Sequence, residues 1–98
     1  MEIKSVHALA KEWFDKVNGN SYNSVRVDIN NGEKFIFLPF GYGYGKFYEH
    51  RVLKELKKLG VKKTGALTKT CRDNDIYLNS YKIENCNKKD VKEWGINR

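Results

Sequence analysis

The chain has 98 residues, 40% hydrophobic and 32% charged with a single proline, a composition that excludes a disordered or low-complexity polymer and leaves room for one domain around one core. Its formal charge is +7, and no apolar run approaches the roughly 18–20 residues of a membrane helix. Lys4, His7, Lys11 and Glu12 interrupt any signal-peptide core at the N-terminus, so the expected location is the cytoplasm, with Cys71 and Cys86 as reduced thiols.

Taken in chain order, Ser5 is placed to cap a first helix, in which Val6, Leu9, Ala10, Trp13, Phe14 and Val17 follow at helical spacing. Asn18-Gly19 supplies its stop. Apolar and polar residues then alternate over 24–30, which predicts a strand with one buried face. Asn30-Asn31-Gly32 offers residues that accept positive φ, and so a hairpin turn into a second strand over 33–40. Residues 35–38 are continuously apolar, and Pro39 marks a strand end or an edge because it cannot donate to a ladder. A glycine-punctuated loop, 41–45, leads into a helix over 47–59, with Tyr48, Val52, Leu53, Leu56 and Leu59 as its apolar stripe and Gly60 as its end. A second hairpin is expected from strands over 66–71 and 76–83 around the turn 72–75. Asn87 caps a short last helix, 88–94, which Val91 and Trp94 dock on the sheet. The expected order is α-β-β-α-β-β-α. It describes one α+β domain spanning 1–98, an antiparallel sheet of about four strands packed by helices.

Charge is unevenly spread. Residues 1–45 hold five basic and five acidic side chains, whereas residues 46–98 hold fourteen and seven. The excess is densest between 54 and 72, where Lys54, Lys57, Lys58, Lys62, Lys63, Lys69 and Arg72 face Glu55 alone. Such a run attracts a phosphate-rich partner or an acidic protein face; the plainer explanation is a solvated lysine-rich surface.

The 41–45 loop is the other candidate site. Three glycines let the backbone come close to a partner, Tyr42 and Tyr44 add flat amphipathic rings, and a helix N-terminus with Lys46 follows. The loop is neither a P-loop nor a dinucleotide fingerprint. Phe47 stands where the first needs a hydroxyl residue, and the spacing Gly41-x-Gly43-x-Gly45 breaks the second. A generic anion site, stacking of bases on Tyr42 and Tyr44, and a tight structural connection remain as readings. His7 and His50 have no orienting carboxylate in sequence, Cys71 and Cys86 form no C-x-x-C, and no metal-ligand spacing appears. The chain is therefore expected to be a binding protein, not an enzyme, with no cofactor.

Three stretches carry a resemblance: Asn18-Gly19-Asn20-Ser21-Tyr22-Asn23-Ser24-Val25-Arg26-Val27, Pro39-Phe40-Gly41-Tyr42-Gly43-Tyr44-Gly45 and Lys89-Asp90-Val91-Lys92-Glu93-Trp94-Gly95. The chain resembles small accessory proteins of phages and prophages. The resemblance implies a mobile-element context in which small single-domain proteins are often stoichiometric inhibitors of host defence, anti-CRISPR proteins among them. Many of those are acidic nucleic-acid mimics, and a charge of +7 departs from that type. The expected partner is a host defence protein or ribonucleoprotein complex. The alternatives are direct binding of DNA or RNA, and capture of a nucleotide signalling ligand.

Overall fold

The computed structural model describes residues 2–43 and 45–93. Three strands come first, β1 (Ser5–Asp15), β2 (Asn20–Ile29) and β3 (Lys34–Tyr42). Two helices follow, α1 (Phe47–Lys58) and α2 (Leu67–Asp73), and then β4 (Tyr77–Ile83) and α3 (Lys88–Glu93). The α+β class stands. The order is β-β-β-α-α-β-α, and the sheet is mixed, not antiparallel. Its strands lie in the order β3-β2-β1-β4, with β1–β2 and β2–β3 antiparallel and β1–β4 parallel. The parallel pair follows from the connection. The chain leaves β3, crosses one face of the sheet as α1 and α2, and returns beside β1 running in the same direction.

The largest correction is the N-terminal segment, a helix by its pattern and a central strand in the molecule. Val6, Ala8, Ala10 and Glu12 point to the helical layer and are buried. His7, Leu9, Lys11 and Trp13 point the other way and are only half-buried. Glu12 breaks the apolar alternation, yet Lys82 of β4 pairs with it at 3.3 Å in a nearly closed setting. Asn18-Gly19 is thus a hairpin turn and not a helix stop. Gly19 N–H donates to the Asp15 carbonyl, and the Asp15 carboxylate accepts from the Val17 and Asn18 amides. The Asn18 side-chain amide also donates to that carboxylate at 2.8 Å, and this bond, with the two backbone amides behind it, holds the Asp15 carboxyl below its ordinary range.

The segment expected as a strand over 66–71 is α2. Leu67, Thr70 and Cys71 form a buried stripe at helical spacing. Thr70 Oγ1 accepts from the amides of Thr64 and Gly65, which folds the approach onto the helix. The 30–33 turn is as expected, with Asn30 and Asn31 at φ 54° and 53°. Pro39 lies on an edge strand, at a bulge where two residues of β3 oppose one of β2.

The core lies between sheet and helices. β1 and β2 give Val6, Ala8, Ala10, Val25, Val27 and Ile29; α1 gives Tyr48, Val52, Leu53 and Leu56; α2 gives Leu67 and Cys71. Burying each of the larger aliphatic side chains stabilises by about 1.5–3 kcal/mol. α3 sits on the opposite face. It touches β1, β2 and β3, its Lys88 ammonium lies 5.3 Å from the Trp13 ring, and Val91 is fully buried outside the main cluster. Val91 thus docks the last helix as expected; Trp94 lies outside the described residues.

Candidate functional site

The glycine loop is built first as structure. The Arg51 guanidinium, on α1, reaches back to the bulge of β3. Its Nη1 donates to the Asn23 side-chain oxygen at 2.6 Å and to the Asn23 carbonyl at 3.1 Å, and its Nη2 donates to the Pro39 carbonyl at 2.6 Å. Gly41 lies against the same guanidinium. Asn23, itself buried, donates to the Gly43 carbonyl at 3.3 Å. Gly43 has φ 153°, and a Cβ there would overlap the Phe47 ring, so a larger residue is strained and must displace that ring. Burial lowers the Arg51 pKa from its ordinary value, and the Glu55 charge opposes that shift. The glycine at 43 is therefore explained by its backbone conformation and close packing without a ligand, whereas a Cβ at 41 would meet Arg51 only at ordinary contact distance.

Of the residues expected at this loop, Tyr42 and Lys46 are exposed and share a depression of about 480 Å³ with Gly43, Phe47 and His50. Tyr44 lies outside the described residues. Lys46 is the N-cap of α1 and offers it no side-chain bond. The first turn carries its own carboxylate, Glu49, which complements the helix dipole. Glu49 accepts from the Ser80 hydroxyl at 2.9 Å, and Ser80 shares a 2.6 Å bond with the Tyr48 hydroxyl. Burial of Tyr48 raises its pKa. A resident carboxylate at the helix start works against an anion site there.

The seven basic residues of the 54–72 run are all exposed, on α1 (Lys54, Lys57, Lys58), the connection (Lys62, Lys63) and α2 (Lys69, Arg72). Lys58 pairs with Glu55 at 3.1 Å and Lys69 with Asp73 at 2.6 Å. Such surface pairs contribute little to stability and leave the positive field in place. Lys54 and Lys58 line a second depression, of about 460 Å³, together with Phe47 and His50. The loop and the start of the basic row are thus continuous along α1. Among the described residues, no three His, Cys, Asp or Glu side chains gather as a metal site. No helix there is long and apolar enough to cross a membrane.

A third surface emerges only in three dimensions, the sheet face turned away from α1 and α2. Register places Tyr81, Leu9, Arg26 and Phe37 in one row across all four strands, and Asn79, His7, Asp28 and Phe35 in the next. The Arg26 guanidinium lies 5.0 Å from the Phe35 ring centre and 5.9 Å from that of Phe37. The His7 and Tyr77 rings are 5.8 Å apart. α3 closes the far end of this face, over Trp13, Tyr22 and Phe40, whose rings stack in series. Among the described residues nothing covers the near half, which holds a depression of about 440 Å³. Tyr77, Tyr81 and Phe35 remain 64%, 62% and 44% exposed there, too much for core residues. The period-2 spacing of Tyr77, Asn79 and Tyr81 was the visible signal; the helical reading of residues 6–17 hid the floor between them. Neither family models, curated proteins nor solved structures match the chain.

Proposed function

We propose that this protein is a non-enzymatic, stoichiometric inhibitor of a host nucleic-acid-targeting defence complex, of phage or prophage type, which works by engaging the nucleic acid of that complex. The observation that carries the reading is the cationic helix layer, with Lys54, Lys57, Lys62, Lys63 and Arg72 exposed along α1, its connection and α2. A layer with a net positive charge draws in a polyanion over several ångströms, and the attraction weakens as salt rises. The resemblance of the 18–27, 39–45 and 89–95 stretches to phage accessory proteins supplies the context. Tyr42 and Lys46, beside the start of the basic row, add an aromatic and a cationic contact to the same flank.

The experiment is affinity purification of the tagged protein from a bacterial lysate, with and without nuclease, followed by mass spectrometry and nucleic-acid analysis. The reading expects a defence effector that is recovered with its nucleic acid. It expects recovery to fall when Lys57, Lys62 and Lys63 are changed to Glu. Recovery that is indifferent to charge reversal overturns it. A second reading, direct binding of cellular DNA or RNA, is favoured by the open aromatic sheet face; it expects nucleic acid alone, released at higher salt.

A further inference from the structure

The open half of the sheet face plays no part in the core and is left clear by α3. We propose that it is a platform for a single-stranded nucleic acid, whose bases stack on the aromatic margins while the backbone crosses the floor between them. The proposal deepens the reading that this chain binds nucleic acid, and rests on it.

Two observations carry it. Aromatic rings stand at both margins, Tyr77 and Tyr81 on β4 and Phe35 on β3, with Leu9 and Arg26 between. Three interstrand steps of about 4.8 Å set the two margins about 14 Å apart. A duplex keeps its bases stacked internally and has nothing to lay on such rings, whereas a single strand has unstacked bases. The second observation is charge. Arg26 lies within this face, and Lys88 stands over Trp13 where the face passes beneath α3. Two carboxylates lie on the same face, Asp28, whose Oδ1 already accepts the Gly32 amide at 2.6 Å, and Asp15, beside Lys88 at the covered end. Arg26, in the floor between the aromatic margins, is the cation placed to meet a backbone phosphate. The Asn79 amide and His7 imidazole, side by side in one row, supply donors and acceptors for base edges.

The test is fluorescence anisotropy with labelled single-stranded DNA and RNA of about ten nucleotides and a duplex of equal length. The chains compared are the wild type, the double variant Tyr77→Ala/Tyr81→Ala, the variant Tyr81→Trp, and the triple variant Lys57→Glu/Lys62→Glu/Lys63→Glu. The wild type is expected to prefer single strands. The alanine double variant, with its melting curve unchanged, should lose about 30-fold or more in single-strand affinity. Tyr81→Trp should retain it, and the lysine variant should weaken single strand and duplex alike. If the alanine variant binds single strands as the wild type does while the lysine variant fails, the platform is overturned and nucleic-acid binding stands. If no oligonucleotide binds the wild type, both readings fall. A dimer in sedimentation that dissolves in the alanine variant assigns the face to a second copy and overturns the platform.

Discussion

Replacing Arg51 with Met tests whether the glycine–tyrosine loop is held by its own packing. Methionine keeps the apolar stem of the side chain and removes the guanidinium. Three hydrogen bonds go with it, two to Asn23 and one to Pro39. A hydrogen bond from a charged donor contributes about 1.5–3 kcal/mol, and an acceptor stranded in the interior costs about 1–3 kcal/mol. Asn23 is 2% exposed, so its oxygens stay stranded, whereas Pro39 is exposed and its carbonyl can turn to water. Relief of the desolvation that lowers the Arg51 pKa offsets part of the loss. The net expectation is a destabilisation of about 3 kcal/mol. For a chain of this size, that lowers Tm by about 12–24 °C. Arg51→Lys, which can reach one acceptor, should fall between. Urea unfolding followed by circular dichroism reads the difference from the midpoint at constant m. A change below about 1 kcal/mol for Arg51→Met, within the range of ordinary surface substitutions and noise, refutes the clamp.

Gly43→Ala should destabilise by about 3 kcal/mol, from backbone strain at φ 153° and overlap with Phe47. Adding Phe47→Ala should return the steric share alone, and full recovery in the double variant would contradict the backbone part. Burial raises the Cys71 thiol pKa, and Cys86 is only half-buried. A thiol-reactive chromophore at neutral pH should therefore label Cys86 quickly and Cys71 only as fast as the chain opens; equal rates would contradict this. Hydrogen bonds from Lys69 and Thr64 hold the Asp73 carboxyl below its ordinary value. That contribution is present above the unfolded-state pKa and is lost as pH falls through the folded one. Asp73→Asn should flatten the acid limb of a stability–pH profile, and an unchanged limb would remove Asp73 from the account.

Much of the fold was legible where local chemistry decides it. The 30–33 turn, the 47–59 helix, the 76–83 strand and the docking of Val91 all follow from turn residues and periodicity. The first strand was not, because Val6, Leu9, Ala10 and Trp13 satisfy a helical stripe as well as a strand. The residue that spoils the strand pattern, Glu12, is satisfied by a lysine seventy positions away. A mixed sheet likewise depends on where two helices return the chain, which no local signal carries. At the site, the basic run and the Tyr42–Lys46 flank were visible as composition and spacing. Arg51 was not, since nothing in the sequence marks it as a clamp on Asn23 and Pro39. The sheet platform needs four strands in register before Tyr81, Leu9, Arg26 and Phe37 become neighbours.

The most direct test of the central claim is an amide shift map of the isotope-labelled protein titrated with a short single-stranded oligonucleotide. The account predicts saturable shifts at Leu9, Arg26, Phe37 and Tyr81, at the open half of the sheet face, with smaller salt-sensitive shifts along α1 and α2. Shifts confined to α1 and α2, or no shifts at all, contradict it.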